Sequence, residues 1–310
     1  MNIYISGSMA YDRIMDFPGR FSDHILPDKI HMLNVCFTVN GMREKFGGTA
    51  GNVAYSLSLL NEKPIILATI GKDYANYFDW LKKSGVSVEG IKIIDEEFTA
   101  GAYITTDRAD NQITGFNPGA MKYPSGYNLK SSNQDNSIAL IAPGNLQDMA
   151  EYAKGCKNKG IDYICDPGQS LTAWEKEPLI EWIEGSTMLI SNDYELELVM
   201  KMTGMDKKKL LRLTKTIITT LGEKGSLMST DASDIKIPPA KAGDVVDPTG
   251  AGDAYRAGLL KGIAMGKDLE TGAKMGAVAA AYAIEKYGTQ EHCYTYEEFN
   301  ERYRSNFGEV

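Results

Sequence analysis

The chain opens on a short apolar run, Asn2–Gly7, that reads as a buried strand ended by glycine. Residues 11–46 then mix Pro18, Gly19, Pro27 and Gly41 with short alternating patches such as Asn34–Val39. No long helical period appears there, and short antiparallel strands joined by loops fit the pattern. From Gly51 the apolar spacing lengthens, with Val53, Leu57 and Leu60 at helical intervals. Ile65–Ile70 is an apolar run of strand length closed by Gly71, and Tyr74–Ser84 reads as a helix. Alternation returns in Phe98–Thr105 and Gln112–Phe116. Two helix-poor excursions, about 11–46 and 91–118, are therefore expected to pair into one small sheet.

Beyond residue 135 strand and helix patterns alternate. Strands are expected at Ser137–Ile141, Asp162–Cys165, Met188–Ser191 and Thr216–Thr220. Between them lie helices at Leu146–Lys159, Pro178–Glu184 (opening on its proline) and Tyr194–Thr203 (closed by Gly204), then a basic helix from Asp206. Such alternation predicts parallel strands joined by crossover helices. Two shorter strands follow, near Ser226–Ser229 and Ile235–Ile237. Ala251, Tyr255, Leu259 and Ile263 make an i, i+4 stripe, residues 269–287 an alanine-rich helix, and 296–307 an exposed one. Neither repeats nor a low-complexity linker interrupts the chain.

The 310 residues, 43% of them hydrophobic, suffice for one large α/β domain, or for one domain plus a small appendage. A net charge of −8 without a long basic run argues against nucleic acid and anionic membrane as partners. Any phosphate site must then be a local arrangement. The N-terminus lacks the basic segment and apolar run of a signal peptide, and no 18-residue apolar run suggests a membrane span. Four cysteines without a C-x-x-C pair, beside three histidines, give no zinc spacing; reduced, mostly buried thiols in a cytoplasmic protein fit best.

Ligands of open α/β sheets gather beyond the carboxyl ends of the strands. Gly7-Ser8 with Asp12, Asp166-Pro167-Gly168-Gln169, Asn192 with Glu195, and Thr220, Gly222 and Gly225 all follow strand-like runs. The strongest stretch is Asp247-Pro248-Thr249-Gly250-Ala251-Gly252-Asp253, just before the helical stripe. Thr249 suits the N-cap, and Gly250 and Gly252 let a ligand approach the backbone. The free N–H groups of a helix start suit an anion, and Asp253 in the first turn could take a proton from a hydroxyl attacking a phosphate. A capped helix with an acidic first turn is the plainer alternative.

D-P-T-G-A-G-D-A-Y-R-A-G at 247–258 resembles the C-terminal signature of the PfkB, or ribokinase-like, kinases, and Gly47-Gly48-Thr49-Ala50-Gly51-Asn52-Val53-Ala54 resembles their N-terminal one. Further stretches are similar to the bacterial adenosine kinases: F-P-G-R-F-S at 17–22, N-P-G-A-M at 117–121, N-D-Y-E at 192–195, T-T-L-G-E-K-G at 219–225 and G-T-Q-E at 288–291. The resemblance implies a three-layer α/β/α sandwich with a mostly parallel sheet and a small β-sheet lid. It also implies transfer of phosphate from ATP to the 5′-hydroxyl of adenosine, a purine-salvage reaction.

By the same resemblance, Ser8, Asp12, Gly47, Gly48 and Asn52 would hold the ribose, and Phe116 and Gln169 the base. Asp253 would be the general base, with the N–H groups of Gly250, Ala251 and Gly252 as an anion hole. Asn192, Thr220, Gly222 and Gly225 would meet the nucleotide, Glu195 a magnesium ion through water, and Asp247 and Thr249 a potassium ion. Each has a structural alternative: an Asx turn at Asp12, a glycine turn at 47–48, a core ring at Phe116, a capping box at Asn192 and Glu195. Similar adenosine kinases carry an aromatic where Ala102 stands and a glutamine where Ser170 stands. Tyr103 should point to the opposite face of its strand. A sugar kinase of the same fold is the rival reading. A non-catalytic regulator on a kinase fold is the third, and the intact Asp253 motif speaks against it. The lid edges offer a surface for a homodimer.

Overall fold

The first strand sets the layering. In β1 (Asn2–Ser6), Ile3 and Ile5 enter one hydrophobic core and Tyr4 the other, because successive strand side chains point to opposite faces. The computed structural model describes residues 1–129 and 136–309. After Gly7 the chain leaves the first sheet as β2 (Ala10–Asp16) and returns through β3 (Met42–Gly47) into helix α1 (Thr49–Leu59). Next come β4 (Ile65–Gly71), α2 (Ala75–Lys83) and β5 (Ile91–Ile94), then a second excursion through β6 (Ala100–Thr106) and β7 (Gln112–Asn117).

The remainder alternates as its pattern predicts: β8 (Ser137–Ile141), α3 (Leu146–Lys159), β9 (Asp162–Cys165), α4 (Lys176–Ile183), β10 (Met188–Asn192) and α5 (Asp193–Thr203). A short α6 (Lys207–Leu210) leads to β11 (Thr216–Thr220), β12 (Ser226–Ser229) and β13 (Asp234–Ile237). The chain closes with α7 (Ala251–Ala264), α8 (Leu269–Ala283) and α9 (Tyr296–Phe307).

Nine strands form the large sheet, in the order β13-β12-β11-β10-β9-β8-β1-β4-β5. Pairing from β5 to β11 is parallel, and β12 and β13 add an antiparallel edge. One face packs on α1, α2, α7, α8 and α9, the other on α3, α4 and α5, which gives the three-layer ribokinase-like fold. The four-stranded small sheet runs β3-β2-β6-β7. Its two outer pairs are antiparallel, but the central β2–β6 pair is parallel, because the two excursions leave the large sheet in the same direction.

Four expectations change. Ile91–Ile94 pairs with β4, so it belongs to the large sheet and not the lid. Asn34–Val39 forms no strand; Phe37 packs instead on the rings of Phe17 and Phe21, and the segment before it makes 3₁₀ turns at Phe21–Asp23 and Pro27–Met32. Helix α4 starts at Lys176, ahead of Pro178. Helix α9 is not simply exposed, because it buries Phe299 and Tyr303. Of the cysteines, Cys156 and Cys165 are buried, whereas Cys36 and Cys293 are exposed. Among the described residues no helix is long and apolar enough to cross a membrane.

Helices α7 and α8 meet almost backbone to backbone. A Cβ on Gly262 would lie 2.5 Å from Gly272 Cα, and one on Gly258 would collide with the Met275 carbonyl. An exposed helical glycine gains up to about 1 kcal/mol on change to alanine. Here the outcome should reverse: Gly258→Ala should lose roughly 1–3 kcal/mol through overpacking, read as a lower urea midpoint.

Candidate active site

The strand order reverses at β1, whose neighbours β8 and β4 lead the chain to opposite sides. The loops after β1 and β8 cross tightly there: a Cβ on Gly144 would stand 2.8 Å from the carbonyl carbon of Gly7. A crevice at such a switch point is where ligands of this architecture bind. A cleft of about 490 Å³ lies at this carboxyl edge, walled by the ends of β9, β10 and β11 and by the start of α7.

The start of α7 is set by Gly250, which takes φ +80°, a left-handed conformation that favours glycine. Thr289 lies directly behind, where a Cβ on Gly250 would meet its Cγ2 at 3.0 Å. Gly250, not Thr249, is the N-cap. Thr249 N–H instead donates to Asp247 Oδ1 at 2.9 Å, closing an Asx turn that feeds the helix. The Ala251 N–H is engaged by the Pro248 carbonyl at 3.2 Å. The neighbouring first-turn amides have no intrahelical acceptor and lie along the cleft, where an anion can meet them.

Asp253 falls in that first turn and lines the cleft. Its Oδ2 accepts from Asn52 Nδ2 at 2.8 Å. Burial pushes its pKa up to about 6, with Asp166 and Glu195 adding to the rise; the Asn52 hydrogen bond and Arg256 act against it. Arg256, one turn on, is 7% exposed and forms an ion pair with Asp166: Nη2 donates to Oδ1 at 2.7 Å, and Nε stands 2.5 Å from Oδ2. Its Nη1 donates to the Gly252 carbonyl at 2.9 Å. The pair fastens the first turn of α7 to the end of β9.

Gln169, Thr220 and Gly222 also border the cleft. Asn192 and Glu195 do as well, but they also form a complete capping box on α5: Glu195 N–H donates to Asn192 Oδ1 at 2.7 Å and Asn192 N–H to Glu195 Oε2 at 2.9 Å. Gly225 is not part of the cleft wall; its φ of +82° serves the turn before β12. Asp247 accepts from Thr249 N–H and, at 3.0 Å, from Gly288 N–H, so both its oxygens shape the loop. Among the described residues no three His, Cys, Asp or Glu side chains converge as a metal site.

The remaining candidates gather where the small sheet meets α1. Ser8 is buried and exchanges hydrogen bonds with Thr49, whose hydroxyl reaches the Pro143 carbonyl at 2.7 Å. Gly48, at φ +88°, caps α1, and a Cβ on Gly47 would stand 2.7 Å from Asp12 Oδ2. Asp12 pairs across to Ala102, and Ala102 to Phe116, so the three share one face of the sheet. Burial, then the Asp247 charge, raises the pKa of Asp12. Phe116 is 53% exposed, not a core ring. Tyr103 is on the opposite face as expected, bonded to Arg13 at 3.0 Å.

Sequence reading missed the Arg256–Asp166 pair and Gln290, whose Nε2 donates to Asn52 Oδ1 at 3.0 Å. Arg256 could have been noticed, since it is a charge flanked by small and apolar residues on both sides, from Ala254 to Leu260. Gln290 lies in the G-T-Q-E stretch at 288–291, whose resemblance gave it no role.

A carboxylate beside a glycine-rich helix start, on the carboxyl edge of a parallel sheet, is the equipment for moving phosphate onto an alcohol. Sequence comparison agrees, and the chain is a phosphotransferase acting on an alcohol group. The profile of the pfkB family carbohydrate kinases matches residues 10–295, and the chain belongs to that family. A nucleoside kinase of Methanocaldococcus jannaschii is 34% identical over 87% of this chain and 89% of its own length. The structure of Burkholderia thailandensis nucleoside kinase in complex with inosine superposes with a TM-score of 0.86, at 37% identity, covering 99% of this chain and 98% of that one. The archaeal M. jannaschii structure gives 0.87 at 32% identity, covering 99% of both chains.

The electrostatics predict a carboxyl with unusual titration. The Asp253 carboxyl carbon, followed by NMR, should titrate near pH 6 and not near the ordinary value of 3.8. In Asn52→Leu the midpoint should climb further, since the donor that favours the ionised form is gone. A midpoint that stays put would show that Asn52 does not govern it.

Proposed function

We propose that this chain phosphorylates the 5′-hydroxyl of a nucleoside from ATP, with adenosine converted to AMP. The observation that carries the reading is Asp253 itself: a carboxylate in the cleft wall, held by Asn52, beside the open end of α7. Asp253 takes the hydroxyl proton as the oxygen attacks the γ-phosphorus, and the first-turn amides of Gly250, Ala251 and Gly252 meet the developing charge. The Ala251 amide can serve only by relinquishing its 3.2 Å bond to Pro248.

The preference for a nucleoside over a bare sugar rests on the face that Asp12 and Phe116 share. Two strand spacings set Asp12 and Phe116 roughly 10 Å apart, about the reach from a ribose diol to its base. Asp12 accepts the diol, Gly47 and Gly48 let the sugar close to the backbone, and the uncovered Phe116 ring stacks on the base. Gln169 offers its amide to a base edge. Ser8 and Asn52 act by shaping this corner, since their polar atoms are already engaged with Thr49 and Asp253. The relatives whose names or structures mention nucleosides and inosine support this choice. A B. subtilis ribokinase at 24% identity keeps the sugar-kinase rival in view, and the small Ala102 favours it.

Asn192, Thr220 and Gly222 would receive the nucleotide, with Gly225 shaping their loop. Magnesium would supply charge neutralisation on the phosphates, and the Glu195 carboxylate, at the cleft wall, would hold it through water. Potassium would share the Asp247 and Thr249 oxygens. A homodimer would cover the small sheet, whose edges are β3 and β7 and whose neighbouring segment exposes Leu26, Ile30, Met32 and Leu33. Sedimentation should then show twice the 34.0 kDa chain mass, and a lone monomer at micromolar concentration would sink the dimer.

The decisive measurement is a panel of nucleosides and free sugars with ATP and magnesium, run on wild type and Asp253→Asn. Adenosine should be turned over best, and the variant should fold normally while losing roughly 10²–10⁴-fold in kcat. The wild-type rate should fall about tenfold per pH unit below pH 6, as Asp253 protonates. Preference for a free sugar would replace the nucleoside reading. Near-normal turnover by Asp253→Asn would remove the base.

A further inference from the structure

Four side chains form an unbroken line from α2 to the first turn of α7. Trp80 Nε1 donates to Gln290 Oε1 at 2.8 Å, Gln290 Nε2 to Asn52 Oδ1 at 3.0 Å, and Asn52 Nδ2 to Asp253 Oδ2 at 2.8 Å. Gln290 Nε2 also donates to the Tyr77 hydroxyl at 2.7 Å, which donates in turn to the Gly47 carbonyl at 2.7 Å. Gln290 is 3% exposed and Asn52 5%, so water cannot substitute for a lost partner.

The direction of this line is forced. An amide side chain can turn either its oxygen or its nitrogen to a neighbour, but an indole N–H can only donate. Gln290 must therefore present its oxygen to Trp80, which leaves its nitrogen for Asn52 and Tyr77. Asn52 must then present its oxygen to Gln290, which leaves its nitrogen for Asp253. Flipping Gln290 sets its nitrogen against the Trp80 N–H, and flipping Asn52 sets its oxygen against a carboxylate. The indole is itself held, stacked between Phe46 and Tyr55 with ring centroids 5.4 and 5.5 Å away. Gly51 makes room, because a Cβ there would overlap the Tyr77 hydroxyl and lie 3.1 Å from Gln290 Nε2.

We propose that Gln290, oriented by Trp80, is a positioning residue that fixes Asn52 as a hydrogen-bond donor to Asp253 and so aims the carboxylate into the cleft. Gln290 touches no reacting atom; it acts through Asn52. The inference rests on the reading of Asp253 as the base. Besides Asn52, the groups facing Asp253 are Arg256 on its own helix, Asp166 beyond β9 and Glu195 on α5. Burial and the two acids oppose the ionised carboxylate, Arg256 favours it, and the Asn52 amide is the neutral donor on the favourable side. The same turn also fastens the small sheet: Thr289 Oγ1 donates to the Phe46 carbonyl at 3.0 Å, and Glu291 meets Lys45 at 2.5 Å. Residues 288–291 thus link the base, the small sheet and, through Gly288 and Asp247, the approach to α7.

Gln290→Glu tests this with almost no change of shape. An ionised carboxylate still accepts from Trp80 but cannot donate, so Asn52 must turn its nitrogen to residue 290 and its oxygen to Asp253. Because the added charge alone raises the Asp253 midpoint, only a shift shared by the uncharged Trp80→Phe counts as support. At pH 7 kcat should fall at least tenfold with the KM for ATP little changed, and the acid limb of kcat should move up by about one pH unit or more. The NMR midpoint of the Asp253 carboxyl should move the same way. Trp80→Phe keeps the ring stack and removes the donor that sets the polarity, so it should give a smaller shift in the same direction. It carries the test alone should Gln290→Glu fail to fold. A limb and midpoint unmoved in the folded variants, with any loss of rate matched by a lower Tm, would overturn the proposal. If Asp253→Asn abolishes turnover and these variants leave the limb unmoved, only the positioning role fails. If Asp253→Asn stays active, the base assignment fails first.

Discussion

The buried pair of Arg256 with Asp166 is the constraint on which the cleft depends. It spans two elements that are 90 residues apart in sequence and joins the first turn of α7 to the end of β9. Two charges withdrawn from water gain little net stability over a well-packed apolar pair, yet losing one partner typically costs about 3–5 kcal/mol. The pair therefore acts less as a source of stability than as a registration mark. With Arg256 held, the Gly252 carbonyl is held through Nη1, and the side chain of Asp253 is delivered to the cleft wall. The charge balance follows from the same placement. Arg256 attracts the ionised form of Asp253, while Asp166 and Glu195 oppose it.

Around that fixed point the chain brings in parts from distant places. Helix α1 supplies Asn52, the turn at 288–291 supplies Gln290, and the small sheet supplies Asp12 and Phe116. Hydrogen bonds through the Phe46 carbonyl and the Lys45 ammonium join the small sheet to the turn. The corner around Asp253 and the small sheet thus share anchors, and what holds one holds the other.

Most of the large domain was legible because its strands are buried on both faces and end at glycine or a cap, so period and length agree. Asp253 was legible for a similar reason: a glycine pair, a first-turn acid and an apolar stripe point to one helix start. The segment from residue 17 to 40 was not. Its order comes from long-range packing, with Phe17, Phe21 and Phe37 clustered and the Phe21 N–H captured by Asp107 at 2.9 Å. No local period reports such contacts. Ile91–Ile94 was misplaced because four apolar residues do not say which sheet they join; pairing with Ala68–Gly71 decides it. Thr249 looked like the cap by residue type, but the left-handed turn at Gly250 moved the helix start by one. Gln290 stood in a recognisable stretch, G-T-Q-E, but its contacts were not legible, since they depend on which distant atoms it meets.

The glycine seam between α7 and α8 bears on how the cleft can change shape. Two helices in backbone contact at Gly258 and Gly262 have no soft side chains between them to absorb sliding. The end of α7 that lines the cleft is thus a stiff floor, braced from below by α8 and from the side by β9. Any change in the shape of the cleft would then fall to the roof, at the few crossings near Gly7–Ala10 and Gly47–Gly48 where the chain passes between the sheets.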